Sequence, residues 1–156
     1  NDFDRILGAL KHKRGGLSFI REKLTNEVTE LKERMEQAAE EDDEALRTDP
    51  PRPAIYKVAM LSEVTDMLTK KQYHEVMIDH VMLSTLSRWL RPMHGGVLVS
   101  LEVRSGILRA LLRLDVDETV LGSLRSSGIG KFVKLLSLHK KETPDNRRAA
   151  LQLVET

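Results

Sequence analysis

The chain has 156 residues, of which 40% are hydrophobic, 31% charged and only 4% aromatic, with a formal net charge of +1. One domain of this length buries roughly two-thirds of the surface its unfolded chain exposes, and an apolar content supplied by Leu, Val, Ile, Met and Ala favours helices. The absence of cysteine excludes a disulfide framework and a thiolate metal site and points to an intracellular protein; no run approaches the ~18–20 apolar residues of a membrane span, and no secretory signal is visible.

Residues 1–16 read as an N-terminal arm, with a basic run from Lys11 to Arg14 and a break at Gly15-Gly16. Leu17, Ile20, Leu24, Val28, Leu31, Met35 and Ala38 then recur at three and four, the period of one helix face, and predict a long helix over 18–46. The prolines of "RTDPPRP" stop it: they donate no backbone hydrogen bond and push their predecessors out of the helical region. This stretch, 47–53, is a linker within one domain. The bundle over 54–156 follows in shorter units. Val58, Leu61, Val64 and Leu68 mark one helix, a brief piece covers Tyr73 to Asp79, and Met82, Leu86, Trp89 and Leu90 mark another, stopped by Pro92 and the "HGG" turn. Val103, Ile107, Leu111 and Leu114 share a face; "DETVLGSL" is a short helix capped by Asp115 or Asp117. Phe132 to His139 is the next, and Thr143-Pro144 supplies an N-cap and first-turn proline for a last helix reaching Val154. The fold class is all-α: one long N-terminal helix before a compact right-handed bundle with HEAT-like or armadillo-like helix pairs.

Charge is distributed unevenly along this scaffold. Residues 1–80 carry 13 Lys and Arg against 17 Asp and Glu, whereas residues 81–156 carry 12 against 7. The basic half suits an acidic partner or nucleic acid, below the cationic density of a dedicated DNA reader.

Short motifs exclude several chemistries. In "SSGIGKFVKLL", a phosphate loop would need glycine at Arg125 and a hydroxyl at Phe132, and a dinucleotide loop would need a third glycine at Val133. Gly128 is instead the left-handed residue ending one helix, and Gly130 lets the next begin close by. "HEVMIDH" does not space His74 and His80 as zinc proteases require, and no second Glu-x-x-His element completes a di-iron site. No G-x-S-x-G elbow frames Ser126 or Ser127. A non-enzymatic binding module without a cofactor or metal is the reading that remains. Trp89 is the largest core residue or lends its edge to a groove floor; Lys131 and Lys134 form a solvated face or offer charge to an acidic, extended peptide.

The opening "FDRIL", then "MEQAAEEDD", "RWLRP" and "SGIGKFV", in this order across nearly the whole chain, resemble the core of the Iws/Spn-type transcription elongation factors. That core is the helical domain found also at the N-terminus of the polymerase cleavage factor TFIIS and of elongin A. The resemblance implies a nuclear, non-enzymatic domain that binds a disordered N-terminal segment of a histone-chaperone elongation factor, itself associated with RNA polymerase II. By this resemblance Lys131 stands at the family's arginine after G-x-G, Leu135 at its aromatic four residues later, and Ser87 at its lysine two residues before the tryptophan. The implied groove has Leu135, Phe132 and the edge of Trp89 as apolar anchors and Lys131 and Lys134 at the acidic flanks. The alternative is a basic-surface nucleic-acid or histone binder using Arg88, Arg91 and Arg104.

Overall fold

Proline stops the first helix where the sequence places the stop, but the glycine pair does not set its start. The computed structural model describes residues 2–79 and 81–155, with side chains for all of these except 7, 9–15 and 79. His80, the basic run from Lys11 to Arg14 and its His12 therefore lie outside the described residues or side chains. Helix α1 spans Asp2–Arg47 without interruption, so the predicted boundary between an arm and a helix from 18 is corrected. The physical reason is one of magnitude. A glycine inside a helix costs about 1 kcal/mol relative to alanine and removes no hydrogen bond, whereas a proline removes one and clashes with the preceding turn.

The linker after Arg47 is held from both sides. Thr48 Oγ1 donates to the carbonyls of Ala45 (2.7 Å) and Pro50 (3.0 Å), and the Arg52 amide donates to Ala45 O (2.8 Å). Helix α2, Tyr56–Thr69, has no side-chain cap from its own N-cap residue, Ile55. Asp42 of α1 takes that part, its carboxylate accepting from the amides of Tyr56 (2.8 Å) and Lys57 (3.1 Å). This fixes the turn between α1 and α2, because free first-turn amides are satisfied by a side chain anchored in another helix.

Further along are α3 (Lys71–Asp79), α4 (Met82–Leu90), a 3-10 turn at His94–Gly96, α5 (Leu101–Leu112), α6 (Glu118–Ser127), α7 (Ile129–Leu138) and α8 (Pro144–Val154). The caps are those the residue types favour: Ser100, Asp117 and Thr143 each accept from the amide three residues on. No β-strand forms among the described residues; the backbone pairing outside helices is one bridge between Met93 and Val97.

The helices pack around one core. Val28, Leu31, Met35 and Ala38 of α1 meet α2 and α4; Ile107 and Leu108 of α5 face α2 and α8; Val133 and Leu136 of α7 close against α4 and α8. Gly106 serves the α2–α5 approach, since a Cβ there would stand 3.1 Å from Leu61 Cδ1. Trp89 sits at the centre with 0% exposure, its indole Nε1 donating to the Met35 carbonyl at 2.9 Å. A ring so enclosed offers no edge to a groove, and the groove-floor reading of Trp89 is corrected to a core anchor joining α4 to α1.

Candidate peptide-binding site

One residue, Gly128, both ends α6 and begins α7, with φ at 78°. That left-handed conformation is strained for a residue with a Cβ. Ser127 Oγ accepts from the Ile129 amide (3.2 Å), satisfying one of the free donors at the turn. Gly130 has open space where its Cβ would be, so the fold uses only the first glycine of "GIG" for its geometry.

From this corner α7 presents one face to its own core and another to solvent. Ile129, Val133 and Leu136 are buried, whereas Lys131, Lys134, Leu135 and Leu138 point outward at one-turn spacings. These four, with His139, Lys140 and Lys141 from the loop after α7, line a surface groove of about 600 Å³. Leu138 is 73% exposed and Leu135 38%, so two apolar side chains stand among four lysines. None of the seven lining residues is acidic. The His139 ring holds the loop, its Nδ1 accepting from the Lys141 amide at 3.1 Å.

Of the six residues expected in the groove, Lys131, Lys134 and Leu135 come together there. Phe132 is half-buried, turned toward the core, with Lys131 Nζ 5.8 Å from its ring centre. Ser87 is buried beneath the corner, its Oγ 3.8 Å from where a Gly128 Cβ would lie. Ser87 and Trp89 thus shape the ground under the corner and line no groove. Leu138, His139, Lys140 and Lys141 were missed, although Lys131, Lys134, Leu135 and Leu138 carry the i, i+3, i+4, i+7 signature of one helix face in the sequence.

The alternative basic surface comes apart. Arg104 is 8% exposed and inside the bundle, donating through Nε to Glu142 Oε2 (2.8 Å), through Nη2 to Glu142 Oε1 (3.1 Å), and also to the Val99 carbonyl. Glu142 also accepts from the Thr143 amide (2.8 Å) and from Asn146 Nδ2 (3.2 Å). Burial pushes the Glu142 carboxyl up, but the bonds from Arg104, Thr143 and Asn146 together outweigh it and hold the group below its ordinary range. Arg88 is half-buried and spans to α1, donating to Glu36 (2.6 Å) and Glu40 (2.8 Å). At Glu36 burial again raises, while the bonds from Arg88 and Thr85 lower and prevail. Of the three arginines only Arg91 is exposed. The expectation of a surface built on Arg88 and Arg104 is therefore corrected: their charges are consumed by partners that join helices.

Residues 107–156, from α5 to the end of the chain, match the family model for the TFIIS helical bundle-like domain, Med26. Protein IWS1 homolog 1 of Arabidopsis thaliana is 40% identical over 124 residues, 78% of this chain and 24% of that protein. The IWS1-like protein of Caenorhabditis elegans is 32% identical over 163 residues, 98% of this chain and 31% of that protein. The chain carries an IWS1-type helical core. It spans about a quarter to a third of the length of these curated relatives. Among solved structures, a chain of the Spt6–Iws1(Spn1) complex from Encephalitozoon cuniculi superposes with a TM-score of 0.76 at 27% identity, covering 85% of this chain and 93% of that one. The IWS1-type core is thus an all-α bundle, as its residue pattern predicts, with the α7 groove on its outer side.

Proposed function

We propose that this IWS1-type core is a non-enzymatic interaction domain of a nuclear transcription elongation factor, and that its α7 groove holds a disordered segment of an Spt6-type histone chaperone. The observation that carries the reading is the groove itself: two exposed leucines framed by four lysines with no acidic lining residue, beside the Gly128 corner. Support for the partner comes from the Encephalitozoon cuniculi complex, which joins Iws1(Spn1) to Spt6. The segment would place apolar side chains on Leu135 and Leu138 and acidic flanks near Lys131, Lys134, Lys140 and Lys141. Desolvated anchors supply most of the affinity in such a site, and rim charges steer and set register. Through that chaperone the domain would be tied indirectly to RNA polymerase II.

Calorimetric titration with a peptide from the N-terminal region of Spt6 tests the reading. The wild-type chain is expected to bind, and a Lys131→Glu, Leu135→Asp variant, shown by circular dichroism to be folded, is expected to lose at least about tenfold in affinity, roughly 1.4 kcal/mol. Equal affinity in the two proteins would contradict the assignment of the groove.

A further inference from the structure

The α7 groove ends in a turn that is closed twice, and one of the closures depends on an imidazole. The first is made by backbone: the Glu142 amide donates to the His139 carbonyl at 3.2 Å, so that Lys140 and Lys141 are the central residues of a four-residue turn. The second is the His139 ring, whose Nδ1 accepts from the Lys141 amide at 3.1 Å. A side chain that takes the amide two residues on is the arrangement in which asparagine or aspartate is the usual acceptor. Both flanks of the turn are fixed. His139 follows α7 directly, its own amide donating to the Leu136 carbonyl, and Glu142 is buried on Arg104. Lys140 and Lys141 stand exposed between these flanks and make up half of the groove's lysines.

We infer that His139 is a positioning residue for the groove, and that its unprotonated Nδ1 is a latch on the turn carrying Lys140 and Lys141, opened by acid. The inference rests on the reading of the α7 groove as a site for an acidic segment. An imidazolium carries N–H on both nitrogens and cannot accept the Lys141 amide, and imidazole is the side chain whose charge changes between about pH 5 and 8. The groups that line the groove with the ring and carry charge are Lys131, Lys134, Lys140 and Lys141, all cations. The nearby acids are engaged elsewhere, Glu142 with Arg104 and Asp145, in the first turn of α8, with Arg148. Charge alone predicts the reverse response, because a protonated ring adds positive charge to a groove with no acidic lining and would tighten its hold on an acidic segment. The latch acts against this. Opening it frees the backbone that carries two of the four lysines, and binding must then order that backbone again, a cost that a fixed turn does not incur. Only a surface turn is released, so the unfolding midpoint of the bundle stays where it is.

The Spt6 peptide of the calorimetric titration is offered to the unmodified chain, to His139→Asn and to His139→Leu at about pH 7.5 and about pH 5.5, inside the range in which imidazole changes charge. Asparagine keeps an acceptor for the amide two residues on and does not titrate; leucine keeps bulk and removes the acceptor. Peptide carboxylates titrate equally against all three chains. At the higher pH, His139→Asn is expected to bind as the unmodified chain does and His139→Leu about three- to tenfold more weakly, the worth of one hydrogen bond. At the lower pH, the unmodified chain is expected to fall toward His139→Leu while His139→Asn keeps its lead. In the free proteins, the amide proton resonance of Lys141 is expected to move as the His139 ring resonances titrate, and to hold its place in His139→Asn. An affinity of the unmodified chain, relative to His139→Asn, that rises or stays level on acidification would overturn the latch, as would His139→Leu with full affinity at the higher pH. If none of the chains binds the peptide, the groove reading fails, and the Lys141 amide decides the latch by itself: a resonance indifferent to the titration of the ring would overturn it.

Discussion

In the second half of the chain, one buried arginine and a group of four surface lysines carry the same sign of charge and end in opposite states. Arg104 lies inside the bundle, its guanidinium shared between Glu142 and the Val99 carbonyl. Lys131, Lys134, Lys140 and Lys141 stand at the surface around two exposed leucines, in a groove with no carboxylate lining it. A tally of charge cannot separate the two, because it does not report which cations have partners. Only a cation left without an acidic neighbour can recognise an acidic segment; one already paired in the interior serves the fold.

The contrast predicts opposite costs for substitution. Arg104→Met would leave the Glu142 carboxylate buried without its partner, a situation that costs about 3–5 kcal/mol, read as a large drop in the urea midpoint. If stability held, the Arg104–Glu142 pair would have no structural part. In the groove the costs fall on binding instead. Leu138→Asp is expected to leave the unfolding midpoint within about 0.5 kcal/mol of wild type, as exposed positions do, while peptide affinity falls about 10–100-fold, or 1.4–2.8 kcal/mol. A destabilised Leu138→Asp protein would mean that the residue belongs to the core.

Acid separates the same two regions. The carboxyls of Glu36 and Glu142 are held below their ordinary value of 4.5 in the folded chain. Groups depressed in this way contribute stability that is fully present above the unfolded value and is lost as pH falls through the folded values. The melting temperature should thus be steady as pH falls from neutrality toward 4.5 and decline below it. The groove has no carboxylate among its lining residues and so loses none in that window. A midpoint unaffected well below the ordinary glutamate value would contradict the part assigned to these two carboxylates.

The smallest expected effect distinguishes the two glycines of the corner. Gly128→Ala forces a Cβ into a left-handed conformation and is expected to cost about 1–2 kcal/mol. Gly130→Ala, in open space within α7, should raise stability by about 0.5 kcal/mol. If both substitutions moved the urea midpoint in the same direction, the corner would have a different conformation.

Much of this fold is legible in the sequence because the decisive signals are local. Pro50, Pro51 and Pro53 end α1; Asp117 and Thr143 start α6 and α8; the periodicity of Val28, Leu31 and Met35 marks the buried face. What is not legible depends on partners far along the chain. Asp42 caps α2 from 14 residues away, and Arg104 meets Glu142 across 38, so neither role has a short motif. Trp89 shows the same limit, since its apolar stripe reads equally as core or groove until its indole N–H is seen to donate to the Met35 carbonyl. The start of α1 was misplaced for another reason, the small cost of glycine in a helix. Leu138 needed no distant partner; its spacing from Lys131, Lys134 and Leu135 already put it on their face.

The central claim, that an Spt6-type segment docks in the α7 groove, is tested most directly by titrating such a peptide into isotope-labelled protein and following backbone amide resonances. The account predicts shifts concentrated from Gly128 to Lys141, with the core around Trp89 and the arginines Arg88 and Arg104 little changed. Shifts centred on Arg91 and the face around it, with the groove silent, would contradict it.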